Sequence, residues 1–292
     1  MSKTTVTRHL PDSITRAEID GTLRSDRLWL HVGLFLSVLL MALPLLLAFV
    51  ISLQSRGVIT SVSQLSFDRA FENYRAVLID YNMGRYMFNS FVMSIVIVVG
   101  KLAISLLAAL AIVYYRFPFK NFMFMVILLT LMLPVPVRIV PLFELVAGLG
   151  WANTFLALTI PYLASATTVF LLRQHFLSIP VSLVEQAKLD GIGPIKFLVY
   201  VLIPMSKGMI AGVCVIMFIY AWNQYLWPLI IIDSQEMQVS QVGIRLLQGV
   251  VETGDIAWPI VMAGSIVTLI PPLLVLVLFR RPLLETFGVQ QK

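Results

Sequence analysis

Residues 87–114 read MFNSFVMSIVIVVGKLAISLLAALAIVY, and Lys101 is the one charged side chain in this stretch. A helix needs about 20 consecutive, mainly apolar residues to cross the hydrocarbon core of a bilayer. The stretch exceeds that length and shows none of the polar–apolar alternation that a strand of a membrane barrel requires. It therefore predicts a transmembrane helix that is long enough to cross with some tilt.

The rest of the chain has the same character. Hydrophobic residues make up 59% of the 292 residues and charged residues 12%, and the mean hydropathy is +0.91. This balance excludes a water-soluble domain. We expect an all-α integral membrane protein with six transmembrane helices, the first a retained helix rather than a cleaved signal. The third is short and breaks at Pro134 and Pro136; the six stretches lie near 28–53, 87–114, 121–137, 154–172, 197–220 and 256–279.

The lysines and arginines predict how the chain is oriented. Most of the 21 basic residues fall on the cytoplasmic side if the N-terminus is cytoplasmic, as the positive-inside rule requires. Both termini are then cytoplasmic, with a cytoplasmic segment at 1–27 and a six-helix membrane domain at 28–292. The largest outer loops are expected at about 54–86 and 233–255. The basic residues lie at helix ends rather than in one patch, so membrane lipid, and not nucleic acid, is the expected surroundings.

No catalytic or metal-binding pattern is present. The three histidines are far apart in sequence, the single cysteine is Cys214, and the chain has no H-E-x-x-H, G-x-S-x-G or P-loop sequence. We therefore expect a non-catalytic chain with no metal site and no bound cofactor. If it moves a solute uphill, another protein must supply the energy. A carrier or channel that works without ATP is the alternative, and it predicts acids or histidines within the spans, which are not visible.

A short polar segment, SIPVSLVEQAKLDGIGPIKF at 178–197, interrupts the apolar chain. Pro180 disfavours continuation of the preceding helix, and Ser182 with Glu185 predicts a capping box. The expected helix at 183–190 ends at Gly191 in a left-handed conformation. Its length of about 12 Å is too short to cross a bilayer. The helix is therefore expected on the cytoplasmic surface, either as a connector or as a docking element whose small apolar face comprises Leu183, Val184 and Ala187.

The same segment resembles a known motif. EQAKLDG, nine residues and then VLIP at 201–204 is similar to the EAA motif of bacterial ABC-import permeases, with Gln186 in place of the middle alanine. The resemblance implies the type I ABC importer permease fold and a coupling helix at about 182–191 that docks into a cleft of a cytoplasmic ATPase. Ala187 would allow close docking, and Glu185 would pair with a basic residue of the ATPase. The implied coupling residues are Ser182, Leu183, Val184, Glu185, Gln186, Ala187, Asp190 and Gly191.

Further stretches extend the resemblance over nearly the whole chain from about residue 28. FNSFVMS at 88–94, YYRFPFKN at 114–121, LMLPVPVRIVP at 131–141 and YAWNQYLWPLII at 220–231 resemble carbohydrate-type permeases similar to the second permease subunit of the maltose system. LASATTVFLLRQHF at 163–176 and WNQYLWPL at 222–229 resemble permeases of sn-glycerol-3-phosphate importers.

This resemblance implies a set of partners, a location and a cargo. The partners are a second permease subunit in a heterodimer, two copies of an ATPase that holds ATP and Mg, and an extracytoplasmic substrate-binding protein. The location is the bacterial plasma (inner) membrane. The expected cargo is sn-glycerol-3-phosphate or a glycerophosphodiester, and a sugar such as a disaccharide is the alternative. In the resembling family, the loop that corresponds to 233–255 reaches toward the binding protein, and its polar composition fits a mobile contact loop.

Four polar residues are candidates for the substrate path. Lys101 lies roughly 20 Å from either end of its predicted span, with no acid in the spans to pair with it. It makes either a structural contact or a substrate contact. Arg138 attracts an anion or pairs with Glu144, and both cations are compatible with a phosphate group. Asn223 and Gln224 are amides at membrane depth, which pack helices together or line a polar path.

Overall fold

A computed structural model describes residues 16–54, 70–249, 257–281 and 283, and this part of the chain is helical without a β-strand. Residues 1–15 of the predicted N-terminal segment, 55–69 of the first outer loop and 250–256 of the second lie outside it. The helices are α1 (Arg16–Ser52), α2 (Ala70–Arg75), α3 (Met83–Tyr114), α4 (Lys120–Leu129), α5 (Val135–Gly148), α6 (Phe155–Thr159), α7 (Ala166–Leu177), α8 (Val181–Leu189), α9 (Pro194–Phe197), α10 (Ile203–Met205), α11 (Lys207–Trp222), α12 (Leu226–Ile231), α13 (Ser240–Gln248) and α14 (Trp258–Leu278). π-Helical turns at 76–80 and 198–202 link neighbouring helices.

Three described helices are long and apolar enough to cross a membrane: Trp29–Ser52 of α1, α3 and α14. Three further pairs are bent at a short break, α4 with α5, α6 with α7, and α9 and α10 with α11. Each pair is one span when counted across its bend, which confirms the prediction of an all-α membrane protein with six spans. The described residues up to Val50, which are most of α1, form one unit, and the described residues from Ile51 onward form a second.

The third span differs from the prediction of a helix at 121–137. Helix α4 ends at Leu129, and Leu133 adopts an extended conformation with ψ 114°. A residue that precedes a proline disfavours helical ψ, and Pro134 follows. Helix α5 then begins at Val135, with Pro136 in its first turn, where a proline is tolerated. The axes of the two helices differ in direction by 105°. The prolines therefore end α4 and change the direction of the chain, and a second helix, α5, follows.

Helix α3 is the centre of the second unit, because it contributes to each of the four buried apolar clusters. Met93 and Ile97 pack with α6, α12 and α13, and Leu106, Ala109 and Leu110 pack with α7, α8 and α9. Met83 and Tyr86 pack with α13 and α14, and Val98 packs with α11. The stretch at 87–114 thus organises the fold as well as crossing the bilayer.

The segment that follows α12 is ordered and docked, which corrects the prediction of a mobile loop for its described part. Buried Asn89 of α3 donates through Nδ2 to the carbonyl oxygens of Glu236 and Gln238, both at 2.9 Å. The Ser90 and Ser240 hydroxyls lie 2.9 Å apart. Gly243 of α13 approaches α3 so closely that a Cβ there would lie 2.6 Å from Tyr86. Paired backbone groups and close packing hold this segment on the membrane domain.

Candidate functional site

Helix α8 carries the residues that resemble a coupling helix, and it begins earlier than predicted. The Leu183 N–H donates to the Pro180 carbonyl at 3.2 Å, and the helix begins at Val181. Ser182 therefore lies in the first turn rather than at the N-cap, and it has no hydrogen bond with Glu185 among the described residues. The predicted capping box is wrong, because Pro180 fixes the entry to the helix one residue earlier.

The end of α8 agrees with the sequence. Gly191 has φ +68°, which confirms the predicted left-handed position that a residue without Cβ adopts at little cost. The Ile192 N–H donates to the Ala187 carbonyl at 3.0 Å, as in a Schellman motif. Ile192 then packs against the same apolar cluster as Ala187. The turn both ends the helix and fixes it to the membrane domain.

The small apolar face of α8 points into the chain. Val184 and Ala187 are 8% and 6% exposed, and Leu183 packs beside them. They share a cluster with Phe176 of α7 and Phe197 of α9. A cavity of about 20 Å³ remains between Ala187 and the Tyr114–Tyr115 end of α3. This corrects the prediction that the small face is presented to a partner; it anchors α8 to the ends of three helices instead.

The opposite face of α8 is open. Val181 is 68% exposed and Leu189 is 87% exposed, and Glu185 lies between them at helical spacing. The Ser182 and Gln186 side chains flank this line, and all of these residues are exposed together with Asp190 and Gly191. We define Val181, Glu185 and Leu189 as the outer stripe. It combines two large exposed apolar side chains with one acid, and Glu185 has no ion pair among the described residues.

Lys101 lies in the interior of the second unit. Its side chain is 5% exposed, and Nζ lies 4.6 Å from the centre of the Tyr220 ring on α11. No hydrogen bond or salt bridge of Nζ is present in the described part of the chain. Since a cation–π contact is worth roughly 0.5–2 kcal/mol, it does not offset the cost of at least about 2.5–3.5 kcal/mol for a charge at mid-membrane depth.

Arg138 of α5 lies within electrostatic range of Lys101. The guanidinium acts on Lys101 as a like charge and also interacts with Tyr162. Tyr162 is brought to this place by close packing at Gly100, where a Cβ would lie 2.5 Å from the Leu163 side chain. Arg138 itself is exposed and forms no ion pair with Glu144 in the described residues. Of the two readings left open for Arg138, the pairing with Glu144 is not observed.

The two amides after α11 behave differently. Asn223 is exposed, and its Oδ1 accepts a hydrogen bond from Gln241 Nε2 of α13 at 3.0 Å. This contact agrees with the alternative in which the amide packs helices together. Gln224 is 8% exposed, and neither its side-chain oxygen nor its nitrogen has a hydrogen-bond partner among the residues that the structure describes. Gln224 lies two residues beyond the end of α11 and four residues after Tyr220 in the sequence.

Replacement of Gln224 by leucine is expected to stabilise the protein. An unpaired buried amide costs roughly 1–3 kcal/mol, and leucine keeps a similar volume without that cost. The expected result is a higher midpoint of thermal unfolding, followed by tryptophan fluorescence in nanodiscs. The matched control, Asn223→Leu, breaks the bond to Gln241 and should not raise the midpoint. A lower midpoint for Gln224→Leu would mean that the amide has a partner in the assembled protein.

Two aromatic residues of this region were not singled out from the sequence. Tyr220 and Tyr162 lie beside the cations, on α11 and on the turn after α6. The aromatic run YAWNQYLWPLII contains Tyr220, but the run alone favours an interfacial belt. The position of Lys101 deep in its predicted span was the one feature of the sequence that could have indicated such a contact, because a buried cation needs a partner from another helix. Among the described residues, no three His, Cys, Asp or Glu side chains gather into a metal site.

Three bent spans, three continuous ones and a short two-faced helix between the fourth and fifth define a multi-span membrane protein. Residues 101–282 match the family described as the binding-protein-dependent transport system inner membrane component. The chain belongs to this family and is an ABC-importer permease of the inner membrane.

Individual relatives agree with this assignment. The chain is 42% identical over 262 residues to the sn-glycerol-3-phosphate transport system permease protein UgpE of Brucella melitensis, with 86% of this chain and 92% of the relative covered. It is 41% identical to the protein of the same name from Salmonella typhi, with the same coverage. The fold is similar to that in a crystal structure of a bacterial ABC transporter involved in import of the acidic polysaccharide alginate. That match has a TM-score of 0.76 and 23% identity, with 91% of this chain and 98% of the other covered.

Proposed function

We propose that this chain is a permease subunit of an ATP-driven importer for sn-glycerol-3-phosphate or its diesters. The observation that carries the proposal is the 42% identity, over 86% of the chain, to a permease named for sn-glycerol-3-phosphate transport. The two cations that converge between α3 and α5 are compatible with a phosphorylated cargo.

The complete transporter contains partners that this chain does not supply. A second permease pairs with it, two copies of a cytoplasmic ATPase hold ATP and Mg, and an extracytoplasmic protein delivers the cargo. The family description, a binding-protein-dependent system, supports the last of these. Both termini and α8 face the cytoplasm in this proposal, in accord with the distribution of lysines and arginines.

Helix α8 couples ATP hydrolysis to transport in this proposal. Its outer stripe contacts the ATPase, and its inner face, with Val184 and Ala187, is packed against α3, α7 and α9. Because packed interiors transmit displacement rather than absorb it, movement of α8 on ATPase closure shifts the adjoining ends of these helices. Alternating access follows, with the cargo released toward the cytoplasm.

The decisive test is cargo-stimulated ATP hydrolysis by the complete complex in nanodiscs. We expect sn-glycerol-3-phosphate with the cognate binding protein to stimulate hydrolysis several-fold over the binding protein alone. A disaccharide is tested in parallel, and an ATPase variant that cannot hydrolyse ATP sets the background. Stimulation by the disaccharide alone would support the assignment as an ATP-driven importer and would reject sn-glycerol-3-phosphate as its cargo. ATP-independent uptake into proteoliposomes would favour the carrier instead.

A further inference from the structure

The ammonium of Lys101 is a buried charge without a balancing group. Its contact is the Tyr220 ring, and the described parts of α3, α4, α7, α11 and α14 contain no aspartate or glutamate. On α5 the one acid is Glu144, which is exposed and forms no salt bridge with a described residue. A buried cation at mid-membrane depth needs a counter-charge or a wet cavity.

Arg138 makes the imbalance larger. It contributes a second positive charge from a different element, α5, and it acts on Lys101 as a like charge. Two cations near each other raise the free energy of the empty site, because like charges repel each other. An anion that binds between them removes the repulsion and supplies the missing partner to both.

We propose that Lys101 and Arg138 form an anion-binding site in this permease, and that its ligand is the phosphoryl group of the transported solute. The site deepens the proposed function and rests on it for the identity of the cargo. Arg138 supplies a planar guanidinium for paired hydrogen bonds to phosphate oxygens, and Lys101 supplies a point charge with three donors. A neutral sugar would leave both charges unbalanced.

Tyr220 holds Lys101 while the site is empty. Its ring lies over Nζ at 4.6 Å, and the residue is 45% exposed. The cation–π contact is weak compared with a charge-assisted hydrogen bond to phosphate, so an arriving anion displaces the ring from Nζ. Release of the anion then restores the contact, which keeps the site reversible.

The first experiment measures the site without reference to transport. In a Cys214→Ser background, which removes the chain's single cysteine, Lys101→Cys is labelled in phosphatidylcholine nanodiscs with ATP present or absent. The anionic sulfonatoethyl methanethiosulfonate should react at least about tenfold faster than the cationic trimethylammonioethyl reagent, because Arg138 attracts it. Arg138→Gln should reduce this ratio, whereas Lys207→Gln, at an exposed lysine at the start of α11, should not.

Ligand protection then identifies the anion. In a Cys214→Ser background with Tyr220→Cys, which keeps both Lys101 and Arg138, inorganic phosphate and sn-glycerol-3-phosphate should slow the labelling at position 220, and glycerol should not. Replacing part of the phosphatidylcholine by phosphatidylglycerol tests whether a lipid phosphate is the ligand; slower labelling in those nanodiscs alone would reject the solute as the source. No labelling in either nucleotide state, or equal protection by glycerol, would overturn the site.

The second experiment measures uptake of sn-glycerol-3-phosphate by the complete complex. Lys101→Met should lower uptake by at least about tenfold, Lys101→Arg should restore part of it, and the control Lys207→Met should leave it unchanged. Co-purification of the second permease and the ATPase with Lys101→Met shows that the complex assembles. Unchanged uptake in Lys101→Met overturns the site. If sn-glycerol-3-phosphate does not stimulate ATP hydrolysis by the wild-type complex, the proposed cargo is rejected. Protection from labelling by inorganic phosphate then still shows whether the anion-binding site exists.

Discussion

Glu185→Lys is expected to remove about nine tenths or more of the ATP hydrolysis that the binding protein and cargo stimulate in the assembled complex. Glu185 is the acid at the centre of the outer stripe, and a large exposed apolar residue lies one turn away on each side. A pair between this acid and a basic residue would be desolvated once the ATPase covers the stripe. Reversal of the charge then costs roughly 2–5 kcal/mol, which is enough to uncouple the helix.

The variant is informative because Glu185 is exposed, so the substitution leaves the packing within this chain intact. Lys196→Glu, a charge reversal at an exposed residue of α9 outside the outer stripe, is the matched control and should keep most of the stimulation. Leu189→Asp should reproduce the loss, because Leu189 is 87% exposed and its replacement creates no cavity. Full stimulation in Glu185→Lys, with the ATPase still bound, would reduce α8 to a connector between spans.

The position of α8 in the sequence was predictable, but which of its faces packs against the membrane domain was not. Pro180 and Gly191 delimit a short helix by local rules alone, and the φ of Gly191 confirms the second of these limits. Both faces of the helix carry apolar residues, since Val181 and Leu189 oppose Val184 and Ala187. A small residue such as Ala187 suits close packing of any kind, so the sequence could not tell an inner anchor from a partner surface.

Long-range pairing accounts for most of what the sequence did not reveal. The run DSQEMQVSQ is polar by composition, yet two of its carbonyl groups, those of Glu236 and Gln238, accept hydrogen bonds from Asn89, which lies about half the chain away. The contact between Lys101 and Tyr220 likewise joins two separate spans. In contrast, the number of spans followed from hydropathy, because every backbone group in a bilayer must be paired within a helix or a closed barrel.

Asn89→Leu is expected to loosen the docked segment that follows α12. The single Nδ2 group satisfies the carbonyl oxygens of Glu236 and Gln238, both at 2.9 Å. Leucine has a similar volume but no donor, so each carbonyl loses its partner at a cost of about 1–3 kcal/mol. A total loss of about 2 kcal/mol corresponds to roughly a 30-fold rise in the opening equilibrium. Amide hydrogen exchange across 236–248, measured by mass spectrometry on the complex in nanodiscs, should accelerate by about that factor.

Gln241→Leu provides the matched comparison on the same segment. It removes one hydrogen bond, from Gln241 Nε2 to exposed Asn223, and an exposed bond contributes less because water replaces it. Its exchange should therefore stay within a few-fold of the wild type. The docked segment lies at the same end of α3 as Met83 and Tyr86, so Asn89→Leu should also weaken stimulation by the binding protein if that protein contacts this end. Unchanged exchange in Asn89→Leu would mean that the buried Ser90–Ser240 pair and the close packing at Gly243 hold the segment without the two carbonyl bonds.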